Sequence, residues 1–364
     1  MGDAAFEIDP DIRAARTLPA RVYSDPELFR AQRDSVFART WHYAGHDDLV
    51  KVAGQVYPFT LLPGALDEPL LLTRDLSDRL HCVSNVCTHR GTVVVEGSGH
   101  EQQLRCRYHG RRFTLDGHFH SMPEFEGTKD FPSPADDLPP VGLGVWERFL
   151  MVALAPAMTF EEAVTPMRER LAGLPFSSLV HDAAGAREYL VNANWALYID
   201  NYLEGFHIPY LHSSLAATLD YGEYAVELER YAVLQLGIAK PGEAAFALPR
   251  SHADHARPIG AYYFWIFPTT MFNVYPWGVS VNVVTPLAVD RTRVSFLPFV
   301  WDETKRGTGA GAGLDRVERE DEAIVEAVQR GVRSRLYERG RYSPAREGGV
   351  HHFHRLLAEF MRTV

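Results

Sequence analysis

Two short segments of this chain pair a thiol with an imidazole. Cys87-Thr88-His89 is followed, after sixteen residues, by Cys106-Arg107-Tyr108-His109. A glycine follows each pair, Gly91 and Gly110, which suits a tight loop. Four ligands can then converge on one site. Two Cys and two His can hold a structural zinc, but zinc sites usually pair Cys with Cys and His with His in each loop. Mixed loops suit a [2Fe–2S] centre with two Cys on one iron and two His on the other. Zinc stays as the alternative, to be separated by colour and iron content. Cys82 lies outside both loops and reads as a small buried apolar residue. His118 and His120 read as surface or packing residues.

A second constellation lies in Asn194 to His212, NWALYIDNYLEGFHIPYLH. If residues 195 to 207 are helical, Asp200, Glu204 and His207 share one face. Pro209 then stops the helix, and His212 follows in the turn. Two His and a distant carboxylate form the facial triad of non-haem Fe(II) oxygenases, with positions left open for O₂. By themselves, two such histidines read more readily as a surface or core pair. A long helix over Asp315 to Leu336 offers the carboxylate. Val317, Ile324, Val325, Val328, Val332 and Leu336 define its apolar stripe, and Asp321 falls near the middle. A carboxylate there needs a partner, either a metal or a structural salt bridge. Glu320 and Glu322 fall to either side and are expected to be dispensable.

The elements that must position these residues are of two kinds. Residues 41 to 150 carry recurrent Gly and Pro between short apolar runs, such as Leu70 to Leu72 and Leu80 to Val83, which predicts an all-β unit. The Pro-rich segment Phe131 to Pro140 reads as the connection out of it. Residues 1 to 40 and 151 to 364 read as a second, mixed unit. Asp25 or Ser24 caps a helix beginning at Pro26. Phe160 to Leu171 and Trp195 to Phe206 read as helices, and Ala261 to Val284 as two or three long strands. Those strands carry Tyr262, Phe264, Trp265, Phe267, Phe272, Tyr275 and Trp277, mostly sheet core, with a few available for a substrate pocket. Gly307 to Gly313, GTGAGAG, follows no strand, so it does not fit a dinucleotide fingerprint and reads as a flexible linker.

The motifs CTHRG and CRYHG resemble the cluster motif of Rieske non-haem iron oxygenases, the superfamily of aromatic-ring-hydroxylating dioxygenase alpha subunits. The resemblance covers nearly the whole chain, from LPARVYSDPELF onward. It implies an α+β fold: an all-β Rieske [2Fe-2S] domain, and a catalytic domain with a large antiparallel sheet flanked by helices, of the helix-grip or START-like type. It implies that Cys87, His89, Cys106 and His109 hold the cluster, and that His207, His212 and Asp321 hold mononuclear Fe(II). In that family an acidic residue three positions before the first iron His bridges to the cluster of a neighbouring subunit. Glu204 holds that place, with Asp200 a candidate for the same network. Arg111 departs from the apolar or aromatic residue usual after CRYHG, which is expected to alter the cluster's exposed edge. EDEAIVEAVQRGVRS, GRYSP and HHFHRLLAEF are most similar to the homotrimeric branch that acts on quaternary ammonium compounds such as carnitine, stachydrine and glycine betaine. The implied partners are a reductase supplying electrons from NAD(P)H, with or without a ferredoxin, and a small-molecule substrate with O₂. His351, His352 and His354, in that tail, are expected to pack or face solvent.

Composition bounds the alternatives. The chain has 364 residues, 46% hydrophobic and 23% charged, too long for a stand-alone electron carrier and too apolar for a disordered chain. A formal net charge of −10 disfavours nucleic acid. No apolar run is long enough to span a bilayer. Residues Met1 to Leu18 lack the pattern of a signal peptide, and Met1-Gly2 lacks the rest of a myristoylation motif. Three cysteines suit a reducing compartment, so a cytoplasmic protein is expected. Two competing readings stand beside the small-substrate oxygenase. One is a hydroxylase or dioxygenase of a small aromatic or specialised metabolite. The other is an electron-transfer or regulatory Rieske subunit without oxygenase activity.

Overall fold

Short apolar runs between turn residues become antiparallel strands in the first of two units. The computed structural model describes residues 6–362, so the Met1-Gly2 opening lies outside the described residues. The chain divides into Trp41–Pro156 and a second unit of Met1–Thr40 with Ala157–Val364.

Trp41–Pro156 contains three small antiparallel sheets. One joins Gln55–Leu61, Glu68–Arg74, Leu80–Ser84 and Gly99–His100; another joins Leu104–Arg105, Arg112–Phe113 and Phe119–Ser121. The third pairs His42–His46 with Phe149–Ala153 and Gly142–Trp146. This last sheet corrects two expectations. Phe149–Ala153 carries the unit past residue 150, because its every residue is buried in that sheet. Phe131 to Pro140 is not the way out. It turns back, and Asp136 accepts hydrogen bonds from Thr88 and Arg111 beside the Cys87 loop. Val56, Leu71, Val83, Leu104, Phe113 and Leu138 form one core with Cys87 and Cys106. Cys82 is buried as well, and burial pushes its thiol up to about 12.

The second unit is built on an eight-stranded antiparallel sheet. Its strands include Ala225–Leu228, Ala232–Ile238, Ile259–Ile266, Thr270–Tyr275, Gly278–Ala288 and Arg291–Val300, paired in that order. Seven α-helices are described: α1 (Pro26–Ser35), α2 (Phe160–Arg170), α3 (Trp195–Tyr202), α4 (Ile208–Leu211), α5 (Ser213–Thr218), α6 (Leu314–Val332) and α7 (Gly348–Arg362). Asp25 caps α1 by accepting from the Glu27 N–H, with Pro26 in the first turn. Phe353 of α7 lies edge-on between Trp195 of α3, 5.7 Å away, and Trp265 of the sheet, 5.5 Å away. All three rings are fully buried, so this stack fixes α3 and α7 over the sheet. Among the described residues, no helix is long and apolar enough to cross a membrane.

Two helices differ from their sequence reading. α3 ends at Tyr202 rather than continuing to His207. Glu204 accepts hydrogen bonds from the backbone N–H groups of Phe206 and His207, which closes a turn instead of another helical round. Pro209 then lies in the first turn of α4, where its missing N–H costs nothing. α6 ends at Val332, and Leu336 beyond it is exposed. Its buried line runs through Glu318, Val325, Gln329 and Val332, while Ile324 and Val328 face outward. The apolar stripe read from sequence is therefore out of phase, and Asp321 stands at the edge of the buried face.

Candidate functional site

The two cysteine–histidine loops repeat one backbone design. Cys87 N–H donates to the Thr92 carbonyl, and Gly91 N–H returns to the Cys87 carbonyl. Cys106 N–H donates to the Arg111 carbonyl, and Gly110 N–H returns to the Cys106 carbonyl. Both glycines have positive φ, +71° and +77°, a conformation that side chains disfavour. The loops bring Cys87, His89, Cys106 and His109 together. The thiols are buried and adjacent. Nδ1 of His89 stands 3.1 Å from Nδ1 of His109, with the His109 ring exposed. Burial, followed by the neighbouring His109, lowers the His89 pKa and favours the neutral, metal-binding form. Burial also raises Cys87, a penalty on its thiolate that bound iron would relieve. Two thiols converging inside and two facing imidazole nitrogens outside fit a Rieske cluster.

Arg111 is not at the exposed edge. Its guanidinium is buried beneath the loops, donates to Asp136 Oδ1 at 2.7 Å, and lies over the rings of Phe119 and Phe131. Against the effect of burial, its charge lowers the Cys87 pKa. His118 faces solvent and pairs with Asp137 at 2.8 Å.

The second constellation forms where α3, α4 and α6 meet. His207, His212 and Asp321 each offer one ligand atom, all within 4.8 Å of one another. His212 Nε2 is 2.9 Å from Asp321 Oδ1, and His207 Nε2 is 3.5 Å from the same oxygen. The opposite nitrogens are held by two other carboxylates. Glu204 Oε1 is 2.6 Å from His207 Nδ1, and Glu320 Oε2 is 2.8 Å from His212 Nδ1. Arg316, one turn back, holds Glu320 at 2.9 Å. Asn201 of α3 donates to Asp321 Oδ1 at 2.7 Å. Both rings thus turn Nε2 inward, and this donor set fits one hard-to-borderline divalent metal such as Fe(II). Burial disfavours charge on His212, yet Asp321 and Glu320 hold its pKa above the ordinary imidazole value. A bound cation would take the place of that proton.

Two outcomes differ from expectation. Glu320, expected to be dispensable, touches a site imidazole. Its neighbours in sequence give no signal of this, and only the approach of α4 to α6 reveals it. Asp200 is drawn away from the site. It accepts from Tyr23 Oη at 2.7 Å and meets His354 Nε2 at 2.7 Å, and His354 is buried against Tyr342. His351 meets the Asp9 carbonyl. These tail histidines pack.

A cavity of about 100 Å³ opens beside the triad. Tyr198, Tyr202, Tyr224, Tyr263, Tyr275 and Phe296 line it. Of the strand aromatics singled out from sequence, Tyr275 alone reaches this wall. Phe264, Trp265, Phe267 and Phe272 are fully buried core, and Tyr262 turns to Asp254. GTGAGAG is not a free linker either. Ala310 lines the cavity, and Gly311 lies so close to Trp277 that a Cβ there would collide with the indole Nε1.

Residues 177–363 match the family model "Ring hydroxylating alpha subunit (catalytic domain)", and residues 40–132 match "Rieske [2Fe-2S] domain". The chain belongs to the ring-hydroxylating alpha-subunit family. This family member is 29% identical to chloroplastic choline monooxygenase of Arabidopsis thaliana, over 96% of this chain and 85% of the relative. It is also 29% identical to the carnitine monooxygenase oxygenase subunit of Escherichia coli K12, over 96% of this chain and 94% of the relative. Its fold is similar to the quaternary ammonium Rieske monooxygenase CntA in complex with L-carnitine, with TM-score 0.77, 23% identity, and 98% and 100% of the two chains covered. It is similar also to naphthalene 1,2-dioxygenase from Rhodococcus sp., with TM-score 0.71, 16% identity, and 95% and 94% covered. This ring-hydroxylating alpha subunit is an oxidoreductase, the oxygenase component of a Rieske non-haem iron system. Its cofactors are a [2Fe-2S] cluster and mononuclear iron, and a reductase supplies its electrons from NAD(P)H.

Proposed function

We propose that this oxygenase hydroxylates a small quaternary ammonium compound at a C–H bond near the cationic nitrogen. The observation that carries this reading is the cavity wall: six aromatic rings beside the triad, and no Lys or Arg among the lining residues described. Aromatic faces attract a desolvated trimethylammonium group. The choline and carnitine monooxygenases among the relatives support the same substrate class. His207, His212 and Asp321 would hold the iron, and Cys87, His89, Cys106 and His109 the cluster. When bound, these groups supply electron transfer and O₂ activation. In balance, a substrate C–H, O₂, two electrons and two protons give C–OH and water.

Glu204 bridges toward the cluster of a neighbouring copy in a homotrimer. Its carboxylate fixes the His207 ring, and exposed Phe206 and Tyr210 beside it suit a surface covered by a partner. Inter-subunit electron transfer is named in the description of a CntA structure, which supports this arrangement. Three unpaired cysteines suit a cytoplasmic setting.

The test is turnover with a surrogate reductase and NADH, measuring O₂ uptake and hydroxylated product. Choline, L-carnitine, glycine betaine, indole and naphthalene are the substrates compared. Product from at least one quaternary ammonium compound is expected. Product from the aromatic compounds alone would overturn the reading.

A further inference from the structure

Among the described residues, two buried polar atoms on the cavity wall have no hydrogen-bond partner: Oε2 of Glu318 and Oε1 of Gln235. Both are acceptors. The Gln235 amide is oriented by its other end, since Nε2 donates to the Tyr202 carbonyl at 2.6 Å. Glu318 is only 8% exposed. Its ion-pair partner, Arg187 Nη1, is 3.9 Å from Oε2, beyond hydrogen-bonding reach, and that side chain is 46% exposed. Burying a carboxylate with so weak a partner is costly. Burial pushes the Glu318 carboxyl up to about 7, with Asp315, Glu322 and Asp321 adding to the rise against Arg187. A cation in the cavity would remove that cost.

Position supports this. Glu318 lies one helical turn before Asp321 on α6, and residues so spaced have Cβ atoms about 5–6 Å apart. A group held at Glu318 would therefore lie within one helical turn of the triad's carboxylate, in the cavity that the triad also lines. Tyr198, Tyr275 and Phe296 line the same cavity as Glu318. We propose that Glu318 is the specificity-determining residue that binds the substrate's ammonium group, and that the cavity selects quaternary ammonium alcohols over quaternary ammonium carboxylates. Gln235 Oε1 would accept the alcohol O–H. A substrate carboxylate finds no lysine or arginine among the described residues of this wall and meets Glu318 as a like charge. The inference rests on the quaternary ammonium reading above and narrows it.

The experiment uses holoenzyme with a surrogate reductase, and three probes: choline, L-carnitine, and 3,3-dimethylbutanol, the uncharged carbon isostere of choline. Binding is measured by calorimetry and turnover by product. Wild type should favour choline over both other probes by about tenfold or more. In Glu318→Gln the preference over the isostere should shrink by about tenfold, with iron content and cluster spectrum unchanged. Glu318→Asp keeps the charge and should keep part of the preference, which serves if the Gln variant loses metal. An unchanged choline-to-isostere ratio in Glu318→Gln, or a wild type that prefers L-carnitine, overturns the inference while leaving the quaternary ammonium reading intact. Failure to bind any quaternary ammonium compound overturns both, and the three results are distinct.

Discussion

Glu320 Oε2 stands 2.8 Å from Nδ1 of His212, while the opposite nitrogen of that ring faces Asp321 at 2.9 Å. Adjacent residues of one helix thus grip the two sides of one imidazole. Carboxylates behind metal-bound histidines fix ring orientation, and losing one typically costs about 10–100-fold in metal affinity or activity. Glu320→Ala should therefore lower iron affinity by that order. Asp321→Ala should abolish iron binding and turnover with the Rieske spectrum retained. Glu322→Ala should keep its iron. Iron content after dialysis against a graded chelator separates the three.

Glu204 should matter for communication more than for binding. Its carboxylate accepts from the Phe206 and His207 backbone and faces His207 Nδ1. Glu204→Gln should keep both metal centres and bind substrate, yet turn over very slowly, because an amide cannot accept the same charge-assisted bonds. Single-turnover spectra should show a reduced cluster that fails to reoxidise with O₂ and substrate. Normal reoxidation would remove the bridging role.

Arg111 should tune the cluster. Its buried cation favours the thiolate of Cys87 and pairs with Asp136. Net charge and hydrogen bonding set the potentials of such clusters. Arg111→Met should lower the midpoint potential in a redox titration. It should also destabilise the protein, on the order of 3 kcal/mol, by stranding Asp136. An unchanged potential with lowered stability would leave only the structural role.

The raised Glu318 pKa gives a pH signature in iron-free protein. An acid whose folded pKa is about 7, above the ordinary 4.5, stays protonated in the fold while the unfolded chain has ionised. Its contribution therefore falls as pH rises through that window and is constant above it. Glu318→Gln removes this effect, so its stability relative to wild type should improve from pH 4.5 to 7, by at most about 3 kcal/mol. Urea melts at several pH values check this. A pH-independent difference would contradict the burial of an uncompensated carboxyl.

Two glycines should respond in opposite directions. Gly311→Ala drives a Cβ into Trp277 and should cost about 1–3 kcal/mol. Gly331→Ala lies in α6 with open space around it and should stabilise by up to about 1 kcal/mol. Thermal melts of the two variants give the comparison.

Part of this site is legible in the sequence because its geometry is local. The cluster loops are each defined within a few residues, so Cys, His and Gly spacing reports the turn directly. α1 is legible from Asp25 and Pro26 for the same reason. Contacts across the chain are not. Nothing local distinguishes Glu320 from the other acids of α6, since its partner, His212, arrives from the end of α4. Asp321 is reached through a stripe that includes Ile324 and Val328, which face outward. A helix running through His207 is a natural misreading, because apolar periodicity continues past Tyr202. The side chain of Glu204 instead competes for backbone N–H groups that a longer helix would have used. Among the strand aromatics, period-two alternation gives the two faces of the sheet but not which end of a face stays open.

The matched loops of Cys87 and Cys106 have a consequence for how the protein acquires its cluster. With Cys87 and His89 on one loop and Cys106 and His109 on the other, each loop would supply half of each ligand pair. Each loop offers only two of the four ligands, so neither would hold the cluster by itself. Cluster insertion would then wait until the strands that carry both loops have paired, and it would report on completed folding of that unit.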